Sequence, residues 1–376
     1  MIAPTITFDT YCMGFKELLS SFAFLLVRVR FMNPDHFFSL LARWYENHGR
    51  DLPWRHTRDP YAIWLSEIIL QQTRISQGMA YWQRFMETWP TVEGLAAASE
   101  DEVLKLWQGL GYYSRARNLH YAARQIVAWG HFPTTLPTIR QLKGVGDYTA
   151  AAIASLAFGI KAAAVDGNVY RVLARLYDLH TPINTTAGKK TFTALANELI
   201  QAAPSSALSP LGGTISGVSL FNQALMDFGA TQCTPLSPAC SDCPFVEECE
   251  ARRADSVSTL PVKQKKMVVT TRHMAYVYIR CQGYTAIHRR GSGDIWQGLW
   301  EPPIFEDAPL PAWDGRLTLL ASGVRHVLTH RILLADFYLL DTTVRPQLSE
   351  EYIWIPETQL SRYAVPRLVE KIWNLL

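Results

Sequence analysis

The chain has 376 residues, of which 48% are hydrophobic and 18% are charged. This length is too great for one compact core of ordinary size, so we predict two domains, and the globular composition excludes a fibrous or disordered chain. Thirty-six Lys and Arg against 33 Asp and Glu give a net charge of only +3. A nucleic-acid partner would therefore need a local basic surface, because the total charge does not imply one.

Residues 1–31 differ in character from the rest of the chain. Their apolar run, 18–29, is broken by Ser20, Ser21 and Arg28 and is too short to span a bilayer. No basic region precedes the run and no clear small-residue cleavage site follows it, so a secretory signal is disfavoured. We interpret 1–31 as an upstream extension, or the product of an early start codon, and expect the first domain to begin at Met32.

The spacing of the apolar residues changes along the remaining chain and separates a helical part from a part with strands. From 35 to about 200 they recur at helical spacing between glycine-rich turns, which predicts an all-α domain. We expect a loop at 204–217 and another helix at 221–228, assign 32–255 to this domain, and interpret the polar segment 256–269 as a linker. Strand-like runs at 273–280, 284–288 and 331–340, followed by a helix at 366–376, predict that 270–376 form an α+β domain.

Aromatic and basic residues alternate in two segments. Trp54 and Arg55 lie in the first, and Tyr112 lies near Arg115 and Arg117 in the second. Such segments can stack on bases and contact phosphates. The alternative is that the aromatic rings belong to the core.

Glu67 is a candidate proton donor. On a helix over 61–74 its neighbours at three and four residues are Ile63, Trp64, Leu70 and Gln71. A carboxyl on this largely apolar stripe should be poorly solvated, with a raised pKa that lets it donate a proton near neutral pH. The alternative is a glutamate at the border of the core that reaches solvent or pairs with an arginine.

Gly144, Val145 and Gly146 predict a tight turn that opens an alanine-rich helix. Backbone N–H groups in such a turn can bind a phosphate. The alternative is a plain connection between two helices.

Asp166 ends an apolar run just before a predicted helix over 169–177. The simplest interpretation is an N-cap. A carboxylate in that position is held ionised by the helix dipole and the free N–H groups. Glu67 and Asp166 together would supply one proton donor and one fixed anion, which is what cleavage of an N-glycosidic bond through an oxocarbenium-like state requires.

Four cysteines within 17 residues, Cys233, Cys240, Cys243 and Cys249, are spaced closely enough for one metal centre. Disulfides are disfavoured without a secretory signal. Zinc and a [4Fe-4S] cluster both take four thiolates, and the spacing alone does not separate them. Either would leave no open coordination position, which indicates structural support rather than catalysis.

The chain resembles the helix-hairpin-helix DNA glycosylase superfamily, and within it the adenine DNA glycosylase family, over roughly 37–340. The segments 52–55, 64–67, 71–73 and 109–113, the hairpin, 165–168 and the cysteine loop occur in the family's order. The resemblance implies base excision repair, in which adenine opposite 8-oxoguanine or guanine is hydrolysed from double-stranded DNA. It also implies a monomer without membrane association, located in the cytoplasm and with the nucleoid if the source is bacterial.

The resemblance assigns roles to residues of the helical domain. Glu67 would protonate the adenine ring, and Asp166 would stabilise the sugar cation or bond to it briefly before water completes hydrolysis. Asn168 and Tyr148 would position these carboxylates. Residues that enter or line the base stack, or bind the phosphates, would be Trp54, Arg55, Gln71, Gln72, Tyr112, Gly144, Val145 and Gly146, with Gln72 and Tyr112 inserted as the adenine is flipped out.

Tyr148 separates branches of the superfamily, because glycosylase/lyase members carry a lysine there. Tyrosine cannot form their Schiff base, so the chain is expected to remove the base without efficient strand cleavage. Lys143 lies on the other side of the turn and is not expected to substitute. A glycosylase/lyase for damaged pyrimidines, similar to endonuclease III, and an iron-sulfur DNA-binding protein without catalysis are the alternatives; retention of both carboxylates argues against the second.

The resemblance also concerns the cofactor and the second domain. The cysteine loop is similar to the family's [4Fe-4S] loop, and 270–376 resemble its Nudix-like lesion-recognition domain through Arg289, Arg290 and 298–303. No acidic Nudix hydrolase motif is apparent, so pyrophosphatase activity is not expected. Leu328, Thr329 and His330 fall where the family senses 8-oxoguanine. Leu328 replaces an aromatic wedge, whereas Thr329 keeps a hydroxyl that can form a hydrogen bond.

Overall fold

The computed structural model describes residues 32–264, 269–328 and 331–376. Its contacts divide the chain into two compact units. The first combines 32–51 with 159–264, and the second combines 52–158 with the described residues beyond 264. The helical segment that the sequence treats as one domain is thus shared between two units, because its first helix returns to pack with its last ones.

The helices of the described residues begin and end as follows: α1 Pro34–His48, α2 Pro60–Leu70, α3 Ile75–Thr88, α4 Val92–Ala97, α5 Glu100–Trp107, α6 Ser114–Trp129, α7 Leu136–Ile139, α8 Asp147–Phe158, α9 Gly167–Leu176, α10 Thr186–Leu199, α11 Gly217–Asp227, α12 Glu250–Arg253 and α13 Arg367–Trp373. Short 3-10 turns occur at Pro53–Arg55, Ile200–Ala202 and Glu357–Arg362, and α11 continues into a π-helical turn at Phe228–Gln232. The all-α prediction for residues 35 to about 200 is confirmed.

The strands are β1 Ala207–Leu208, β2 Thr214–Ile215, β3 Thr270–Cys281, β4 Tyr284–Arg289, β5 Trp300–Glu301, β6 Ile304–Glu306, β7 Arg316–Val327, β8 Arg331–Thr342 and β9 Tyr352–Pro356. β1 and β2 form a small antiparallel hairpin within the segment 204–217 that the sequence predicts to be a loop. The others form one seven-stranded sheet in the order β5-β4-β3-β8-β7, with β6 on β3 and β9 on β4.

The core of the first unit is built around α1. Asn33 caps this helix and Pro34 occupies its first turn, which suits the free N–H groups and the fixed φ of proline there. The buried ring of Phe37 lies 5.9 Å from that of Phe221 and 5.2 Å from that of Phe245. Just beyond α1, the Arg50 backbone N–H and Nε donate to the fully buried carboxylate of Asp227 at 2.9 and 2.8 Å.

The sheet of the second unit has β3 and β8 at its centre, paired in parallel from Thr270 with Arg331 to Cys281 with Thr342. Apolar residues of α13 and the segment before it pack with Tyr276 and Phe337 of these strands. The predicted strands and closing helix are therefore confirmed with small changes at their ends.

The sheet differs from the prediction in its first turn and in four strands, β5, β6, β7 and β9, that the sequence does not predict. Cys281 pairs with Tyr284, so the turn consists of Gln282 and Gly283 alone. Both have positive φ, 51° and 81°, as a two-residue type I′ turn requires. The strand β7 is absent from the prediction because it lies at the edge of the sheet and is largely exposed, which leaves its apolar alternation weak.

Within the second unit, the sheet domain packs on α5 and α6. Arg289 pairs with Glu100 and Asp101 at 3.0 Å, and Arg117 donates to the carbonyl and side chain of Gln297. The Lys105 ammonium donates to the Tyr363 carbonyl at 3.2 Å. None of these contacts between distant segments is visible as a motif in the sequence.

Among the helices of the described residues, none is long and apolar enough to cross a membrane.

We predict that Asp227→Asn lowers the free energy of unfolding by about 3 kcal/mol, because it removes the negative charge of a fully buried carboxylate that accepts three hydrogen bonds from Arg50. Chemical denaturation measures the change. The control is Glu250→Gln, since Glu250 pairs with Arg253 at 2.6 Å on a more exposed surface of the same unit, and such pairs contribute about 0–1 kcal/mol. Equal losses in the two variants would contradict the prediction.

Candidate active site and cysteine cluster

Glu67 lies on a helix that is buried on all sides. Asp59 caps α2 through the N–H groups of Tyr61 and Ala62, and every residue from 61 to 69 is buried. Glu67 itself is 7% exposed, which confirms the burial that the apolar stripe predicts. The structure thus holds this carboxyl in a poorly solvated environment.

The end of α2 meets the start of α8. Gln71 Nε2 donates to Thr149 Oγ1 at 3.2 Å, and Tyr148 is half-buried in the first turn of α8. Gln71 is therefore bonded within the protein, and Tyr148 lies next to its partner in the chain. These residues and Glu67 all belong to the second unit.

The hairpin at 144–146 opens α8 as the sequence predicts. Leu142 and Val145 are buried and anchor it. Gly144 has a φ of +80°, and a Cβ there would lie 2.8 Å from Asn118 Cβ on α6. Glycine is required at 144 both for its positive φ and for its lack of a side chain. Lys143, Gly144 and Gly146 are exposed. Phosphate binding by this turn remains a prediction.

Gln72 and Tyr112 are both exposed. Their φ values, 58° and 47°, lie in the left-handed region, which bulky residues adopt rarely and at a cost. The two residues that the resemblance places in the base stack thus share an unusual backbone conformation.

The prediction that Trp54 stacks on DNA does not fit the structure. Its ring is 6% exposed and lies 5.7 Å from the ring of Trp82 in an edge-on arrangement. Packing in the core, the alternative considered above, describes Trp54 better. Arg55, beside it in the 3-10 turn, is half-buried, and its contact with DNA remains a prediction.

Asp166 is the N-cap of α9, as predicted. Its carboxylate accepts from the N–H groups of Asn168 and Val169 at 2.9 and 2.8 Å, and from Asn168 Nδ2 at 2.9 Å. Burial raises the pKa of Asp166 above its ordinary value, while these hydrogen bonds and the charge of Arg171 oppose the rise. The sequence predicts only the effect of the N-cap, which stabilises the ionised carboxylate and lowers the pKa. It does not predict the burial, because burial depends on tertiary packing.

Two arginines connect α9 to the cysteine loop. Arg171 donates to Asn168 Oδ1 at 2.9 Å and to the carbonyls of Gly229 and Cys233. Arg175 donates to the Thr234 carbonyl at 2.7 Å and approaches Cys233 Sγ at 3.4 Å. Sequence reasoning missed both; the only signal is a pair of arginines four residues apart on one buried helix face.

Gly229, in the π-helical turn, allows the close approach of this turn to α9. A Cβ on Gly229 would lie 2.6 Å from Asn168 Cβ. The backbone conformation of Gly229 is ordinary, so the requirement is for space.

All four predicted ligand cysteines line one cavity of the first unit, together with Arg175, Phe228 and Gln232. Burial raises the pKa of the Cys233 and Cys249 thiols, and that of Cys243 to about 12. The thiols also affect one another electrostatically, so they are close together, and a metal centre would have to displace their protons. Over residues 32–264, 269–328 and 331–376, no three His, Cys, Asp or Glu side chains form a site for a single ion.

The predicted lesion-sensing loop, 328–330, is described only in part. Leu328 is half-buried against the core of the sheet domain, and its N–H donates to the Arg331 carbonyl at 2.8 Å. Thr329 and His330 lie outside the described residues. Asp166, Asn168 and the cysteines belong to the first unit, whereas this loop, the hairpin, Gln72 and Tyr112 belong to the second.

Comparison with known proteins gives two family matches. Residues 65–199 match the HhH-GPD superfamily of base excision DNA repair proteins, and 275–375 match the NUDIX domain. A solved structure of a thermostable thymine-DNA glycosylase is similar with a TM-score of 0.50 and 32% identity, covering 59% of this chain and 97% of that one. The helical fold, the hairpin and the capped aspartate thus define a base excision repair protein of the HhH-GPD superfamily.

Individual relatives identify the family within this superfamily. The chain is 43% identical over 224 residues to the adenine DNA glycosylase of Homo sapiens, covering 57% of this chain and 39% of the human protein. It is 34% identical over 275 residues to that of Buchnera aphidicola subsp. Schizaphis graminum, covering 72% of this chain and 75% of the relative. The chain belongs to the adenine DNA glycosylase, or MutY, family. It spans well under half the length of the human relative.

Proposed function

We propose that this protein is a monofunctional DNA glycosylase that hydrolyses the N-glycosidic bond of adenine mispaired with 8-oxoguanine or guanine. The observation that carries the proposal is the Asp166 carboxylate, fixed at a helix N-terminus by three hydrogen bonds. A carboxylate that is poorly solvated gains most when a positive charge develops beside it. The relatives named adenine DNA glycosylase support adenine as the base.

In the proposed mechanism Glu67 acts as the general acid. Glu67 is buried on α2, and we propose that its protonated carboxyl donates a proton to a ring nitrogen of adenine. Protonation makes the base a better leaving group, and the bond to the sugar then breaks with its electron pair going to the base. Tyr148, near the end of α2, would help to orient the reacting groups.

Asp166 acts on the sugar. It stabilises the oxocarbenium-like cation, or bonds to it briefly, until water adds at the anomeric carbon and completes hydrolysis. Asn168 holds one carboxylate oxygen through its Nδ2, and Arg171 in turn holds the Asn168 side chain. Because Asp166 must be ionised, its raised pKa should move the acid limb of the activity to higher pH than an ordinary aspartate would give.

We propose that Cys233, Cys240, Cys243 and Cys249 hold a [4Fe-4S] cluster. Four thiolates match its ligand requirement, and the Arg175 donor near Cys233 Sγ is of the kind that stabilises cluster sulfur. The cluster supplies structural support for this loop. Through Arg171 and Arg175 the loop then keeps α9, and with it Asp166, in place.

We propose double-stranded DNA as the partner and the C-terminal domain as the reader of the opposing base. The match of 275–375 to the NUDIX domain supports a separate recognition module, with Leu328, Thr329 and His330 at its sensing loop. Leu328 offers an apolar surface without a ring, so the contribution of the loop should rest on Thr329 and His330. A glycosylase/lyase for damaged pyrimidines is disfavoured by Tyr148, and a binding protein without catalysis by the retention of Glu67 and Asp166.

We predict that single-turnover reactions on duplexes with adenine opposite 8-oxoguanine, guanine or thymine release adenine, fastest opposite 8-oxoguanine. Strand breaks should appear only after alkali, because Tyr148 cannot form a Schiff base. Gel analysis of the products before and after alkali makes the distinction. Efficient nicking without alkali would contradict monofunctional chemistry, and no adenine release from folded, iron-containing protein would overturn the proposed function.

We predict that Asp166→Asn reduces excision by about a hundred- to a thousand-fold, since asparagine still caps α9 but carries no charge. Binding to the same duplex should change little. The matched control is Asp59→Asn at the exposed N-cap of α2, which should excise at the rate of the unaltered protein. Equal rates for the two variants would remove Asp166 from the mechanism.

We predict that Cys243→Ser lowers the iron content and bleaches the visible absorption of the purified protein, because one of four cluster ligands is lost. Cys281→Ser is the control, since Cys281 is buried at the end of β3 in the other unit. Metal analysis should give iron rather than zinc for the control. Stoichiometric zinc, or equal iron in both variants, would contradict the assignment.

A further inference from the structure

The exposed residues Gln72 and Tyr112 stand on two loops that meet at one buried side chain. Gln72 follows the C-terminal end of α2, and Tyr112 precedes α6. Arg115, in the first turn of α6, is only 7% exposed and lies beneath both loops. A residue so placed can control the geometry of both at once.

The two terminal nitrogens of Arg115 serve different loops. Nη1 donates to the carbonyls of Ile68, at 3.2 Å, Ile69, at 2.9 Å, and Gln71, and to Thr73 Oγ1 at 3.2 Å. Gln71 and Thr73 flank Gln72 directly. Nη2 donates to the carbonyls of Leu110 and Gly111 at 3.4 and 3.3 Å, and Gly111 precedes Tyr112.

The ring contacts add to this bridge. The guanidinium carbon of Arg115 lies 5.0 Å from the centre of the Trp107 ring and 5.6 Å from that of Tyr112. One face of the cation is thus in contact with the exposed residue itself, within the distance of a cation–π interaction. The bridge reaches the side chain of one loop as well as the backbone of both.

The six acceptors are all neutral oxygens, five carbonyls and one hydroxyl. Two of them, on Ile68 and Ile69, belong to the last turn of α2, where carbonyls lack partners within the helix. A planar guanidinium can donate hydrogen bonds to groups on two different sides, whereas the ammonium of lysine is a compact point charge at the end of a flexible chain. Lysine at 115 would keep the charge and lose the bridge.

We propose that Arg115 is a positioning residue that fixes the separation and the left-handed backbone of Gln72 and Tyr112, so that both enter the base stack together when the target nucleotide is extruded. The inference rests on the proposed function, because it takes duplex DNA as the ligand. Preorganised insertion of this kind lowers the cost of unstacking at the moment of flipping.

The test is stopped-flow fluorescence with a duplex that carries 2-aminopurine beside adenine opposite 8-oxoguanine. Its fluorescence rises when the neighbouring base leaves the stack, independently of excision. We expect Arg115→Lys to slow the rise and the subsequent adenine release by about ten- to a hundred-fold, since small misplacements have effects of that size. The pH profile of excision should keep its shape, because Glu67 and Asp166 are unchanged.

A double-mutant comparison separates positioning from general damage. In a protein that already carries Gln72→Ala and Tyr112→Ala, Arg115→Lys should cost less than about two-fold further, because no inserted side chains remain to be positioned. A full further loss in that background would overturn the inference. Arg124→Lys, an exposed position on the same helix, is the matched control and should behave like the unaltered protein.

Thr73→Val provides a second test if Arg115→Lys folds poorly. It removes one acceptor of Arg115 and leaves the arginine in place. We therefore expect it to slow the fluorescence rise as well, by a smaller factor than Arg115→Lys does. Unchanged fluorescence kinetics in the folded variants would refute the positioning role. If the unaltered protein shows the fluorescence rise but releases no adenine, the proposed function is refuted, whereas a slower rise in the Arg115 and Thr73 variants still supports the positioning role.

Discussion

The first unit depends on the hydrogen bonds between the α9 arginines and the backbone of the cysteine loop. Arg171 and Arg175 project from one ten-residue helix, and between them they bind carbonyls at 229, 233, 234 and 235. The same helix carries Asp166 at its N-cap. A helix of this length spans about 15 Å, so it acts as a short rigid rod between the proposed cluster and the proposed catalytic carboxylate. A cluster that takes no part in the reaction would therefore help to hold the catalytic carboxylate in position.

A common feature of the buried arginines is that they bind backbone carbonyls. Arg115 does so at the end of α2, Arg171 at the π-helical turn and Arg175 in the cysteine loop. Several neutral dipoles can compensate a buried cation without a second ionisable group. Loops held in this way keep their geometry as carboxylates elsewhere titrate, which suits a protein whose proposed chemistry needs one carboxyl protonated and another ionised.

The sequence predicts those parts of the site that depend on local rules. The N-cap at Asp166, the glycine turn at 144–146 and the burial of Glu67 follow from neighbours within a few residues. The period of apolar residues likewise places the strands β3, β4 and β8. In each case the determining interactions lie within one element or one turn.

The remaining features depend on contacts between distant segments. Trp54 is buried and its ring packs edge-on against that of Trp82, and Arg115 acquires its role because two loops 40 residues apart meet at its guanidinium. The raised pKa of Asp166 arises from its burial, which depends on tertiary packing. The division into two units depends on α1 joining 159–264, and no single-residue pattern in α1 specifies its partner.

That partnership has a consequence for how the protein is made. Trp44 of α1 donates a hydrogen bond to Gln232, 188 residues later in the chain, and Tyr45 bonds to Gln223. At ribosomal rates of about 5–20 residues per second, α1 emerges roughly 10–40 s before the segments that cover it. Until residue 159 emerges, its apolar face, with Phe37, Leu41 and Trp44, has none of its native neighbours from 159–264. An apolar helix face without its native neighbours is prone to aggregation until they emerge, and the four cysteines of the loop become available only late in synthesis.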